Sequence, residues 1–144
     1  MNIASWKVER VTLALIAVGM LPAGLQAAFM PRDFYDEFPL GRGWIVADGG
    51  AYNEHLTRDT GGLFLALVIV TFWALWRAAL ARPVAIAWAV QGVLHLVYHL
   101  GDLDGYTGGD KVGMIGSLVF VPLLAAVALL AGARPPEPVQ DSRR

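Results

Sequence analysis

The stretch from Val84 to Gly101 reads Val-Ala-Ile-Ala-Trp-Ala-Val-Gln-Gly-Val-Leu-His-Leu-Val-Tyr-His-Leu-Gly and contains no Asp, Glu, Lys or Arg. As an α-helix rising about 1.5 Å per residue, it can cross a hydrocarbon core about 30 Å thick. Similar runs occupy residues 11–30, 60–81 and 112–133, the second of which requires Arg77 to reach the lipid headgroups. The sequence therefore predicts an all-α integral membrane protein, a four-helix bundle with these four spans.

The composition agrees with a membrane protein. Hydrophobic residues make up 56% of the 144-residue chain, charged residues 16%, and the mean hydropathy is +0.53. A net charge of −1 provides no basic surface for nucleic acid, and the lack of cysteine excludes disulfides, iron–sulfur clusters and thiolate chemistry. We expect one domain over residues 1–134 and a disordered cytoplasmic tail over residues 135–144.

The basic residues predict the orientation of the spans. Positive charge in short loops stays on the cytoplasmic side, and the loops over residues 31–59 and 102–111 are mainly acidic. Both termini are therefore expected inside, N-in/C-in, with a long extracytoplasmic first loop. The basic residues on the inner side are Lys7, Arg10, Arg77, Arg82, Arg134, Arg143 and Arg144.

The first span has a second interpretation. Lys7 and Arg10 followed by an apolar run to Leu25-Gln-Ala-Ala28 also resemble a secretory signal peptide. The run is longer than a typical signal core and the sequence starts at Met1, so we expect an uncleaved span. Cleavage would leave three spans and an external N-terminus.

Four residues predict where the helices begin and end. Asp59 or Thr60 is expected to cap the second span, because short polar side chains accept hydrogen bonds from the first free N–H groups. Pro83 is expected at the first position of the third span. Gly101 is expected to end that span, because glycine tolerates the left-handed conformation often found there.

Two polar clusters are predicted at the outer end of the bundle. Gln91, His95, His99 and Asp102 are spaced at i, i+4, i+8 and i+11, which places them on one helix face. A second group near the start of the second span consists of Glu54, His55, Arg58 and Asp59. Polar groups facing lipid are costly, so we expect the two clusters to meet inside the bundle.

Three interpretations of the joint cluster stay open. A transition-metal site would use His95 and His99 first, with His55, Glu54, Asp59 and Asp102 as further ligands. A site for quinone, haem or another lipophilic molecule would use Gln91, His95, His99 and Arg58, because a buried histidine can hydrogen-bond a carbonyl or ligate haem. The third interpretation is structural, with polar side chains joining the helices. Aromatic residues available to line a pocket are Trp73, Trp76, Trp88, Tyr98 and Tyr106.

The first loop is long for so small a protein and alternates aromatic with charged residues. Loops of this length are usually functional or contain an interfacial helix. It is expected either to cover the polar cluster or to dock a partner. The aromatic residues concerned are Phe34, Tyr35, Phe38 and Trp44.

The chain resembles the DoxX-like group of small four-helix bacterial membrane proteins. The resemblance rests on the four short spans, on the polar segment from Asn53-Glu54 to Asp59, and on the following Gly61-Gly-Leu-Phe-Leu-Ala-Leu67. It implies a quinone-linked or accessory role in respiratory or thiol-stress membrane complexes. His95 and His99 have no counterpart in that pattern, so no site residue is carried over. An excess of arginine over lysine also indicates a GC-rich bacterial source.

No motif of a catalytic triad, phosphate-binding loop or carboxylate pair occurs in the sequence, which therefore does not support an enzyme. We expect a bacterial inner-membrane protein acting as a non-catalytic accessory or ligand-binding subunit. Its partners would be the lipid bilayer and another membrane protein or a second copy, with no nucleic acid. The alternative is a membrane oxidoreductase-type component that binds a metal, haem or quinone.

The topology leads to a first prediction. Reporter fusions after Gly50 and Thr107 should report an external position, and fusions at Ala81 and Arg144 an internal one. An external result at Arg144 would contradict the four-span model.

Overall fold

The computed structural model describes residues 3–132, and all regular secondary structure within that range is helical. Four of the helices are long and apolar enough to cross a membrane, so the prediction of an all-helical chain with four candidate spans is confirmed. The predicted disordered tail, residues 135–144, lies outside the described residues. The helices are α1 (Ile3–Phe29), α2 (Pro31–Glu37), α3 (Trp44–Ala47), α4 (Glu54–Ala74), α5 (Ala78–Leu100) and α6 (Gly108–Gly132).

The second span differs from its predicted bounds of 60–81. It begins at Glu54, where the side chain of Asn53 accepts a hydrogen bond from the Leu56 N–H at 3.1 Å, so Asn53 is the cap instead of Asp59 or Thr60. It ends at Ala74, and a turn over residues 75–77 leads into α5. This turn places Arg77 at the N-cap of α5, so that its charge lies at the end of both helices.

The third span also begins at a different residue. α5 begins at Ala78, so Pro83 lies inside the helix and not at its first position. Proline has no backbone N–H, so the carbonyl four residues before it loses its helical hydrogen bond. Membrane helices tolerate such a proline where neighbouring groups can bond that carbonyl instead. Gly101 is the C-cap, as predicted, with φ −83° and ψ −14°, so it ends the helix without adopting the left-handed conformation that glycine tolerates.

The four long helices form a bundle in which α1 packs along α4 and α6, and α5 packs along α6. The fourth side, between α4 and α5, is less closely packed. The buried residues that form the core are Leu13, Ile16, Ala17, Val68, Ala74, Ala81, Val84, Ala85, Trp88, Val121, Ala125 and Ala128.

Two glycines allow the close helix pairs. Gly61 of α4 lies against the α1 backbone, where an added Cβ would be 2.7 Å from the carbonyl carbon of Ala27. Gly92 of α5 lies against α6, where a Cβ would be 2.7 Å from Cδ of Pro122. Small residues at such positions let helices approach without a hydrophobic driving force in lipid.

One buried hydrogen bond joins α4 to α5. The indole N–H of Trp88 donates to Oγ1 of Thr71 at 2.8 Å, and Thr71 donates in turn to the Leu67 carbonyl at 2.6 Å. Trp88 and Thr71 are both fully buried. The predicted use of Trp88 as a pocket residue is therefore not what its contacts show: it is a packing residue that ties the two helices together.

The α1–α4 contact gives a second prediction. Gly61→Ala should destabilise the folded protein by about 1–3 kcal/mol, because the new methyl group overlaps backbone atoms that cannot move independently. Gly62→Ala is the matched control, since nothing lies within 4 Å of its added Cβ. Thermal unfolding in detergent measures both. An equal loss in the two variants would show that helix packing at Gly61 is not the cause.

Candidate functional site

A cavity of about 1010 Å³ lies between α4 and α5. Residues 31–53, which contain α2 and α3 and are called the lid segment here, cover one end of it, and α6 contributes part of the wall. Most of the lining is apolar. The apolar wall includes Leu63, Phe64, Ala66, Leu67, Val70, Leu80, Pro83, Val84, Ala87, Leu94, Met114 and Leu118.

The cavity opens sideways between α4 and α5. Leu63 on α4 and Leu94 on α5 line it and are 68% and 66% exposed. Val70 and Tyr98 also line it and are exposed. Leu63, Val70 and Leu94 lie within α4 and α5 and not at the helix ends. The opening therefore lies along the side of the bundle and not at its tip.

The polar residues of the cavity are concentrated beneath the lid segment. The i, i+4 spacing of α5 brings Gln91, His95 and His99 onto one face, as the sequence predicts. Nε2 of His95 lies 3.1 Å from Nε2 of His99, and Nδ1 of His95 lies 3.5 Å from Nε2 of Gln91. Thr60 and Ser117 add hydroxyl groups to the same lining.

Asp48 of the lid segment meets this histidine pair. Its Oδ1 lies 3.6 Å from Nδ1 of His99, a buried nitrogen that has no hydrogen-bond partner within residues 3–132. The 3.6 Å separation is slightly too long for a hydrogen bond, but it places the carboxylate as the nearest acceptor. Asp48 also accepts from the hydroxyls of Tyr98 and Tyr106, each at 3.2 Å.

The carboxylate sets the direction of the hydrogen-bond chain. A proton on Nδ1 of His99 points to Asp48, which leaves Nε2 of His99 as an acceptor for the N–H of His95. Nδ1 of His95 then accepts from the amide of Gln91. This tautomer assignment pairs both nitrogens of His95 and Nε2 of His99, and it leaves Nδ1 of His99 facing Asp48 without a hydrogen bond.

Tyr106 remains a donor within this network. Burial, with the nearby Asp48 carboxylate as the next cause, raises the pKa of the Tyr106 phenol well above its ordinary range. Its single hydroxyl proton is shared between the carbonyl of Trp44 at 2.8 Å and Asp48 at 3.2 Å. The α5–α6 connection therefore holds the lid segment at two groups, the backbone carbonyl of Trp44 and the side-chain carboxylate of Asp48.

A second attachment holds the lid segment to α6. Asp110 accepts hydrogen bonds from the Trp44 indole at 2.9 Å and from Nε of Arg42 at 2.7 Å. Thr107 donates to the other carboxylate oxygen at 2.6 Å. Because Phe34, Phe38, Trp44 and Ile45 line the cavity, these bonds hold an aromatic cover over its polar end. The expectation that this loop covers the histidines and contains short helices agrees with these contacts.

The other predicted site residues form a separate group. Nε2 of His55 lies 3.3 Å from Asp59, and Arg58 pairs with Glu54 at 2.8 Å and donates to the Ala28 carbonyl at 2.7 Å. All four side chains are exposed and do not line the cavity. In the described part of the chain, no hydrogen bond or ion pair joins them to His95 or His99.

Asp102 is likewise outside the cavity. α5 ends at Leu100, so the helical spacing that would place Asp102 beneath His99 is lost, and its side chain is exposed. Of the predicted lining aromatics, Tyr98 and Tyr106 line the cavity, while Trp73 and Trp76 are exposed on the bundle surface.

The geometry limits how a metal or haem could bind. Over residues 3–132, no group of three or more His, Asp or Glu side chains is placed to hold a metal ion. His95 and His99 offer two nitrogens on one side. Two histidines one turn apart on the same helix cannot occupy opposite axial positions of a haem. The binding of a metal or a haem therefore stays a prediction, because residues 3–132 do not bring a full set of ligands together.

Two polar residues stand out that the sequence analysis did not single out as site residues. Asp48 was counted only among the acids of the first loop, and no sequence spacing connects it to His99. Glu9 is 6% exposed within α1, and its Oε1 would lie 2.7 Å from a Cβ on Gly132. Ser5, Glu9 and Thr12 are all buried and form a polar stripe along α1. Their spacing at i, i+4 and i+7 is the sequence signal by which this stripe could be found.

Comparison of the chain with protein-family models, with curated proteins and with solved structures found no match. The resemblance to the DoxX-like group stays a prediction. By its fold the described part of the chain is all-helical, with four candidate membrane spans and a cavity between α4 and α5 that is open at the side of the bundle. The function is argued from that cavity.

The attachment of the lid segment gives a third prediction. Asp110→Asn removes the charge that pairs with Arg42, so backbone amides of residues 44–48 should exchange faster with deuterium, while those in the middle of α5 should not change. Asp104→Asn is the control, since Asp104 is exposed and has no hydrogen bond among residues 3–132. Equal exchange in wild type and Asp110→Asn would show that Asp110 does not hold the lid segment.

Proposed function

We propose that this protein is a multi-pass protein of the bacterial inner membrane that binds one small lipophilic molecule in the α4–α5 cavity. It acts as a ligand-binding or accessory subunit and not as an enzyme. Its orientation is N-in/C-in, with the lid segment outside. The positive charges near the start of α1 and around the α4–α5 turn support this orientation.

The observation that carries the proposal is the cavity itself. Its volume of about 1010 Å³ is at the upper end of the range of about 300–1000 Å³ that small-molecule sites occupy. Most of the lining is apolar, and its polar side chains include Asp48, His99 and Tyr106 at the lid end, with Gln91 and Ser117 deeper in α5 and α6. Such a distribution suits a ligand with a long apolar body and one polar head.

The histidine chain supports a head-group position at the lid end. Gln91, His95 and His99 belong to one helix, where His95 contacts both of the others, and the Asp48 carboxylate lies 3.6 Å from Nδ1 of His99. Side chains held in this way are oriented before a ligand arrives, which lowers the entropic cost of binding. A purely structural network would leave the adjoining space filled by side chains, whereas here it borders the cavity.

An oxidoreductase-type component that binds a quinone is the second candidate. It is favoured by the contact between His95 and His99, with the Asp48 carboxylate 3.6 Å beyond His99, because quinone reduction consumes protons that groups aligned in this way can carry. The electrons would have to come from a partner protein. This candidate places the ligand in the same cavity and differs in requiring a redox-active group.

The fourth prediction tests the cavity. We expect wild-type protein purified in native nanodiscs to retain a lipophilic compound at about one per chain, detected by mass spectrometry of its extract. Ala87→Phe fills the cavity and should remove the compound. Val90→Phe is the control, because Val90 lies on the same helix, is exposed and does not line the cavity.

Retention of the same compound in Ala87→Phe would contradict the proposed site. His95→Ala should also lower retention, whereas His55→Ala should not, since the His55 side chain is 88% exposed and outside the cavity. An absorption spectrum and metal analysis of the same samples separate the two candidates. A chromophore or metal lost from the His95→Ala/His99→Ala variant would favour the oxidoreductase-type component.

A further inference from the structure

We infer that the ligand carries an uncharged hydroxyl group, as a lipophilic phenol or alcohol does, and that this hydroxyl donates a hydrogen bond to acceptors beside His95. This inference rests on the proposed function and specifies the chemical class of the ligand. It follows from the charge of the cavity lining and from which hydrogen-bonding positions of that lining are already occupied.

The lining contains one carboxylate, Asp48, and no lysine or arginine. The two arginines of the lid segment, Arg42 and Arg32, are paired with Asp110 and Asp36. An anionic head group placed beneath the lid segment would therefore be desolvated beside a negative charge without a cation to pair with it. Phosphate and carboxylate heads are disfavoured for this reason.

The donors at this end of the cavity are largely occupied. The hydroxyls of Tyr98 and Tyr106 donate to Asp48, and the His95 N–H donates to His99 in the assignment given above. Thr60 donates to the carbonyl of Leu56 at 2.9 Å. Ser117 donates to the Met114 carbonyl at 2.8 Å in the same way. Two donors remain without a hydrogen bond: the second N–H of Gln91, and Nδ1 of His99, which is buried against Asp48 and turned away from a ligand.

The acceptors are largely free. Oε1 of Gln91 has no hydrogen bond within the described residues, and the oxygens of Thr60 and Ser117 each keep lone pairs after donating to their own helices. A ligand that only accepts, such as a ketone or an ether, can pair with the one free amide N–H and leaves these acceptors unsatisfied. A hydroxyl donates to one of them and accepts from Gln91.

The route of access agrees with a lipophilic alcohol or phenol. The opening between Leu63 and Leu94 is lined by apolar side chains, so an uncharged molecule can pass it without exposing a charge to an apolar wall. The head then reaches Gln91 and His95, while the apolar body lies along Ala87 and Val84.

The test uses three matched probes: a long-chain alkylphenol, its O-methyl ether, and the fatty acid of comparable length at neutral pH. Binding to the full chain in detergent is measured by native mass spectrometry as a dissociation constant. The phenol should bind about tenfold or more tightly than the ether, because the ether cannot satisfy the buried acceptors. The fatty acid should bind more weakly than the phenol.

Variants separate the possible outcomes. Gln91→Met should reduce the preference for phenol over ether, a ratio that a general loss of stability would not change. Ala87→Phe should abolish phenol binding, and Val90→Phe should leave it intact. If the ether or the fatty acid binds at this site as tightly as the phenol, the inference is wrong and the proposed cavity function stands. If no probe shows binding that Ala87→Phe removes, both are overturned.

Discussion

The close approach of α4 to α1 at Gly61 is the constraint on which the remaining architecture depends. α4 lies against the backbone of Ala27 and Ala28 in α1, and α5 lies against α6 at Gly92. These two close helix pairs are joined where α1 packs along α6. The space between α4 and α5 is then bridged by the Trp88–Thr71 bond and is otherwise open to a cavity. Because α4 is held by α1 and α5 is held by α6, the α4–α5 side stays less closely packed. The polar residues near the end of α5 face this side.

The helical class and the four apolar segments could be predicted because length and charge are properties of the local sequence. The helix ends were less predictable. The sequence predicts Arg77 inside a span, whereas a three-residue turn places it between two helices. The sequence does not indicate Asn53 as the cap of α4, because the apolar run begins several residues after it. Such boundaries depend on where neighbouring helices stop, which a single segment does not show.

The candidate site was predictable only where it lies on one helix. Gln91, His95 and His99 follow from a four-residue period, and the structure brings them into contact. Asp48 belongs to a loop about fifty residues away, and its position depends on the bonds of Asp110 and Tyr106 to the lid segment. The group around His55 was expected to join because it shares an end of the bundle, yet its charges pair locally and remain exposed. Proximity along the bundle axis does not determine which side of a helix a residue occupies.

The sideways opening has a consequence for how occupancy is controlled. Under the proposed function, a lipophilic ligand would enter between Leu63 and Leu94 from the acyl-chain region, where such a compound accumulates far above its level in water. Its occupancy would then follow its mole fraction among the lipids, and a modest intrinsic affinity would suffice to fill the site. A protein that binds in this way would respond to the composition of the bilayer more than to the aqueous phase.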